Sequence, residues 1–144
     1  MSNSPLHKLS TTFLFQALTL TFNISYITHI YIGISSTSIT ANWELFIVTT
    51  LSLLTTWLKA KERQEFEEKE EIEDKDKIVK IITVNTIFSL VADFHFIPAI
   101  MILLQAGEYA AFPVVILYLC IGALIMNVIA TILTIYEEIK VGEG

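Results

Sequence analysis

Four long apolar stretches, residues 11–34, 43–58, 78–104 and 112–136, occupy most of this 144-residue chain. None has Lys or Arg in its interior except Lys80, which sits at an end. A helix crossing the hydrocarbon core of a bilayer needs roughly 20 mostly apolar residues, with a range of about 17–25. The first, third and fourth stretches meet this directly. The second does so only if extended back to residue 41, where Trp43 and Trp57 bracket it as interfacial anchors would. At 1.5 Å per residue those indoles lie about 21 Å apart along a helix, short of a core ~30 Å thick, so the second crossing calls for local thinning of the bilayer.

Composition supports the same reading. Hydrophobic residues make up 53% of the chain and the mean hydropathy is +0.62. A soluble domain holds about 45–50% apolar residues even with glycine included, and its apolar residues are scattered rather than blocked. The sequence therefore predicts an all-α integral membrane four-helix (tetraspan) bundle, a single transmembrane domain over 1–144 with spans at 11–34, 41–58, 78–104 and 112–136. The first stretch is too long for a signal-peptide core of roughly 7–15 residues and is read as a retained span. Ser2 and the C-terminal Val141-Gly142-Glu143-Gly144 give no lipidation signal.

Basic residues set the topology. Lys8 precedes the first span, Lys140 follows the fourth, and Lys59, Lys61, Arg63, Lys69, Lys75, Lys77 and Lys80 fall between the second and third. Residues 35–42 and 105–111 hold none. The positive-inside rule places both termini and the 59–77 segment on the cytoplasmic side. An even span count also puts the termini together. Segment 59–77 is dense in Glu and Lys, lacks Gly and Pro, and spaces opposite charges four apart at Lys61/Glu65, Glu65/Lys69, Glu71/Lys75 and Glu73/Lys77. Each such pair adds about 0.2–0.5 kcal/mol to a helix, so the second span should continue as a charged, solvated helical stalk. Phe66 and Ile72 are its only candidate anchors for a partner. Gly107 and Pro113 suit a tight hairpin between spans three and four, ending one helix and starting the next.

Asp93 is the only acidic side chain deep inside an apolar stretch. A charge at that depth costs at least about 2.5–3.5 kcal/mol, so it must face other helices or water. Pro98 cannot donate to the carbonyl of Phe94 and leaves an acceptor free beside it. His95 is about 200° around the helix from Asp93 and cannot share its face. Polar residues recur at helical spacing in every span: Thr12, Gln16, Thr19 and Asn23; Thr49, Ser52 and Thr56; Asn85, Ser89 and Asp93; and Asn127, Thr131 and Thr134, in line with the small Ala123. Asn23, Asp93 and Asn127 come out near the bilayer midplane and are expected to partner one another. Gln16, Asn85, Ser89, His95 and Pro98 are secondary candidates.

Other chemistry lacks a motif. The one cysteine, Cys120, and the dispersed His7, His29 and His95 form no metal or haem set, so no cofactor or metal is expected. Nucleophile elbows, phosphate loops and metalloprotease helices are absent, and Asn23-Ile24-Ser25 matches a glycosylation sequon inside a span. The net charge of −6 argues against nucleic acid. The sequence predicts a non-catalytic subunit or adaptor of a membrane complex, its partners being the lipid bilayer and other membrane subunits or itself. The alternatives are a small proton- or ion-coupled channel or carrier centred on Asp93, and an accessory subunit of a membrane enzyme. The short second span favours a thin internal membrane such as the endoplasmic reticulum.

Overall fold

A computed structural model describes the backbone of residues 5–32, 39–69, 75–106 and 113–143. Four helices account for nearly all of it: α1 Pro5–Ile32, α2 Ile39–Glu68, α3 Lys75–Ala106 and α4 Pro113–Glu143. Each packs on its neighbours in chain order and α4 closes back on α1, while the diagonals α1/α3 and α2/α4 do not touch along their backbones. The chain is an all-α four-helix bundle with a square cross-section.

The helix boundaries follow local chemistry. Residue Ala106 ends α3 just before Gly107, and Pro113 opens α4, where its missing N–H costs nothing; residues 107–112 between them lie outside the described chain. The expected charged stalk is present in part. Helix α2 runs unbroken to Glu68, with an Arg63–Glu67 ion pair at 3.0 Å. The pairs Glu71/Lys75 and Glu73/Lys77 involve residues outside the described chain. Nor is the stalk wholly solvated: Phe66 is buried against Ile78 and Ile82 of α3, and Arg63 Nε donates to Thr83 Oγ1 at 2.6 Å.

Two of the helices are long and apolar enough to cross a membrane, α3 over Lys75–Gln105 and α4 over Val114–Lys140. The expectation of four such helices is met by these two only. Helix α1 is diluted by Gln16, Asn23, His29 and five threonines. Helix α2 has Glu44 near one end and Lys59, Lys61 and Glu62 at the other, which shortens its apolar window.

Burial is inverted relative to a soluble bundle. Leu14, Trp43, Ile87, Phe94, Met101 and Ile132 are exposed, whereas Gln16, Asn23, Lys59, Asn85, Asn127 and Glu137 are buried to within 2%. Exposed hydroxyls bond their own helix: Thr21, Thr28 and Thr50 donate to the carbonyls four residues back at 2.8–2.9 Å, so the outer face presents no unsatisfied hydroxyl at these positions. Along the bundle axis the core has three layers. A small apolar cluster of Phe66, Ile78 and Ile82 lies between α2 and α3 at the end near their connection. A polar middle follows. A larger apolar cluster built on Tyr26, Leu45, Val48, Phe96, Leu103 and Ile116 closes the other end.

Candidate functional site

The polar middle is organised around Lys59. Its position on α2 is one helical turn beyond Thr55 and Thr56, on the inward face, and its side chain is fully buried. Three acceptors surround the ammonium: Gln16 Oε1 on α1, and Asn85 Oδ1 at 2.8 Å and Ser89 Oγ at 2.6 Å on α3. An ammonium has three N–H donors, and all three are used. Every acceptor is neutral. Asn85 is in turn fully engaged, donating from Nδ2 to Thr134 Oγ1 at 2.9 Å and to Glu137 Oε1 at 2.8 Å on α4. One lysine and one asparagine thus tie all four helices together.

Two carboxyls border this hub. Glu62, one turn beyond Lys59, accepts from Thr12 Oγ1 at 3.3 Å, and Glu137 takes the bond from Asn85. Each is buried, and each has one oxygen, Glu62 Oε1 and Glu137 Oε2, without a hydrogen-bond partner among the described residues. Glu62 lies past the apolar part of α2. Burial pushes its carboxyl up to about 8, with the nearby charge of Glu137 adding to the effect.

Asp93 lies on the other side of Lys59, toward the large apolar cluster. Its Oδ1 accepts from Ser52 and its Oδ2 from Thr56 at 2.7 Å, both on α2. Both oxygens are therefore satisfied by hydroxyl donors. The expected trio of Asn23, Asp93 and Asn127 does not form. With its amide turned so that the oxygen faces donors, Asn23 accepts from Asn127 Nδ2 and the Leu124 N–H, both at 3.1 Å, and donates to the Cys120 carbonyl at 3.2 Å. That is an α1–α4 contact. Asn23 is out of reach of Asp93 because α1 and α3 stand at opposite corners of the square, Asn127 on the adjacent α4 is bonded to Asn23, and Asp93 bonds its other neighbour, α2.

The secondary candidates divide in the same way. Gln16, Asn85 and Ser89 all bind Lys59, and Gln16 Nε2 also donates to the carbonyl of Asn127 at 3.4 Å. His95 is outside the network: its Nδ1 donates to the Val91 carbonyl at 2.7 Å, and its ring lies over Gly122 of α4. Pro98 sits within an unbroken α3. At the far end, His29 Nδ1 pairs with Glu44 Oε2 at 2.6 Å, and Ser25 Oγ donates to Glu44 Oε1 at 3.2 Å.

Sequence reasoning missed Lys59, Glu62 and Glu137, although a signal for them was present. The polar stripe Thr49-Ser52-Thr56 continues at the same spacing to Lys59 and Glu62, and the stripe ending at Thr134 continues to Glu137. The first charge after an apolar block reads as the end of a span, and the stripes were cut there. Among the described residues no group of three or more His, Cys, Asp or Glu is placed to hold a metal ion. Compared with known proteins, the chain matches no described family, no curated protein and no solved structure.

Proposed function

We propose that the chain is a four-span membrane protein that carries protons, with Lys59, Asp93 and the two glutamates as its working groups. The observation behind this reading is the fully buried ammonium of Lys59, standing between Asp93 on one side and Glu62 and Glu137 on the other. Ionisable groups inside a membrane bundle are costly and mark ion and proton pathways. The inverted burial, apolar outside and polar within, supports a lipid-facing exterior for all four helices, including the two whose composition is too mixed to show it alone. Inward-turned polar stripes lower the hydropathy of α1 and α2, and the outward hydroxyls of Thr21, Thr28 and Thr50 are bonded to their own helix. The large apolar cluster on the Asp93 side of the polar layer suits a carrier better than an open pore. The clustering of basic residues supports cytoplasmic termini, and the short second span supports a thin internal membrane such as the endoplasmic reticulum.

A second reading, a subunit or adaptor of a membrane complex, draws on a different observation: Lys59, Asn85 and Asp93 have all their polar atoms bonded within the chain, as in a purely structural network. One experiment separates the two. In proteoliposomes under a valinomycin-imposed potassium potential, an entrapped pH dye should report proton flux that Lys59→Met and Asp93→Asn abolish. No flux from the unmodified protein, together with native-gel migration in a larger assembly that Asp93→Leu disperses, would replace the carrier with the subunit.

A further inference from the structure

Among the described residues four ionisable side chains share the polar layer, one cation and three carboxyls, so their full ionisation would leave an excess of negative charge. Buried uncompensated charge is among the costliest states a protein can hold. The hydrogen bonds show where the excess is relieved. Asp93 has donors on both oxygens, the arrangement that suits a carboxylate, and the charge of Lys59 acts on Glu137 and Glu62 as well as on Asp93. Glu62 and Glu137 differ: each has a donor on one oxygen only, Thr12 Oγ1 and Asn85 Nδ2 respectively. Lys59 bonds neither, because Gln16, Asn85 and Ser89 take its three protons.

We infer that Glu62 and Glu137 form a proton-binding pair that holds one proton near neutral pH and releases it as the pH rises. A carboxylate oxygen buried without a donor loses its hydration with nothing in return, whereas a bound proton removes the charge and supplies a donor. Two like charges in one buried layer cannot both ionise cheaply, and the charge of Glu137 adds to the proton affinity of Glu62; in the inferred pair the proton belongs to the two carboxyls together. The surroundings agree. Among the described residues, Thr12 faces the pair from α1 and is uncharged; α2 adds Lys59 and Glu65, α3 adds Asn85, and α4 adds Thr134 and Glu138, while Gln16 and Ser89 bond Lys59 and Asp93 lies beyond it. Lys59 is shared between the pair and Asp93, and Glu65 and Glu138 add further negative charge. The elevated proton affinity of Glu62 is in line with this. The small apolar cluster of Phe66, Ile78 and Ile82 lies on the α2–α3 side between the pair and that connection.

The site's role in transport rests on the proton-carrying reading; its existence does not, because proton binding is measured without a bilayer. The full chain in detergent, followed by infrared spectroscopy during a pH titration, should show a protonated-carboxyl C=O band at neutral pH that disappears at alkaline pH. Glu62→Gln and Glu137→Gln should each lose that titration step, the double variant should lose nothing further, and Asp93→Asn should keep it. A band missing from the unmodified protein, or one removed by Asp93→Asn alone, would overturn the pair. If either Gln variant fails to keep its helical circular dichroism, the unmodified protein and Asp93→Asn still decide. A band without flux in liposomes would leave the site standing and remove the carrier.

Discussion

Lys59 illustrates how a residue's neighbours decide its meaning. In sequence it is the first of seven basic residues after the second apolar stretch and looks like a topology determinant. In the bundle it is buried with three neutral acceptors, and burial pulls its ammonium down to about 7 against the opposing charges of Glu137, Glu62 and Asp93. Glu62 gives the residue scale its measurable consequence. Its carboxyl is raised from an ordinary 4.5 to about 8, so between those values the folded chain binds more protons than the unfolded one. Stability from this group is complete below about 4.5 and is lost as the pH rises toward about 8. The thermal midpoint in detergent should fall across that window, and Glu62→Gln should flatten the fall. A midpoint that rises with pH over the same range would contradict the burial of Glu62 as a neutral acid.

Helix α3 meets α4 through a contact that hydropathy does not reveal. The His95 ring lies so close to Gly122 that an added Cβ would come within 2.6 Å of its Cδ2 and 2.7 Å of its Nε2. The bond from Nδ1 to the Val91 carbonyl fixes the ring in place. Alanine in place of a mid-helix glycine ordinarily gains about 1 kcal/mol. Here Gly122→Ala should instead destabilise the bundle by about 1–3 kcal/mol, the usual cost of overpacking, and Gly122→Ala/His95→Ala should recover it. Chemical denaturation in a detergent that permits reversible unfolding checks this. The stripes themselves were legible: Thr12, Gln16, Thr19 and Asn23 on α1 and Asn85, Ser89 and Asp93 on α3 are all buried, as the 3.6-residue period requires. Which stripe meets which was not legible, because periodicity gives the inward face of a helix but not its neighbour.

Across the whole molecule, the four-span reading makes a testable demand on sidedness. Protease added to sealed vesicles should cut the 59–77 segment only from the cytoplasmic side; cleavage from the opposite side alone would invert the topology. The number of helices, their approximate limits, their antiparallel order and the polar faces turned inward were all determined by the sequence, because block length, charge placement and helical period are local properties of the chain. The tertiary structure alone decided that α1 and α3 stand at opposite corners, which parts Asp93 from Asn23 and gives it to Ser52 and Thr56. It alone also drew Lys59, Glu62 and Glu137 into the interior. A charged side chain at the end of an apolar stretch can turn outward to water or inward to partners. Which it does depends on donors and acceptors contributed by three other helices, far away in sequence.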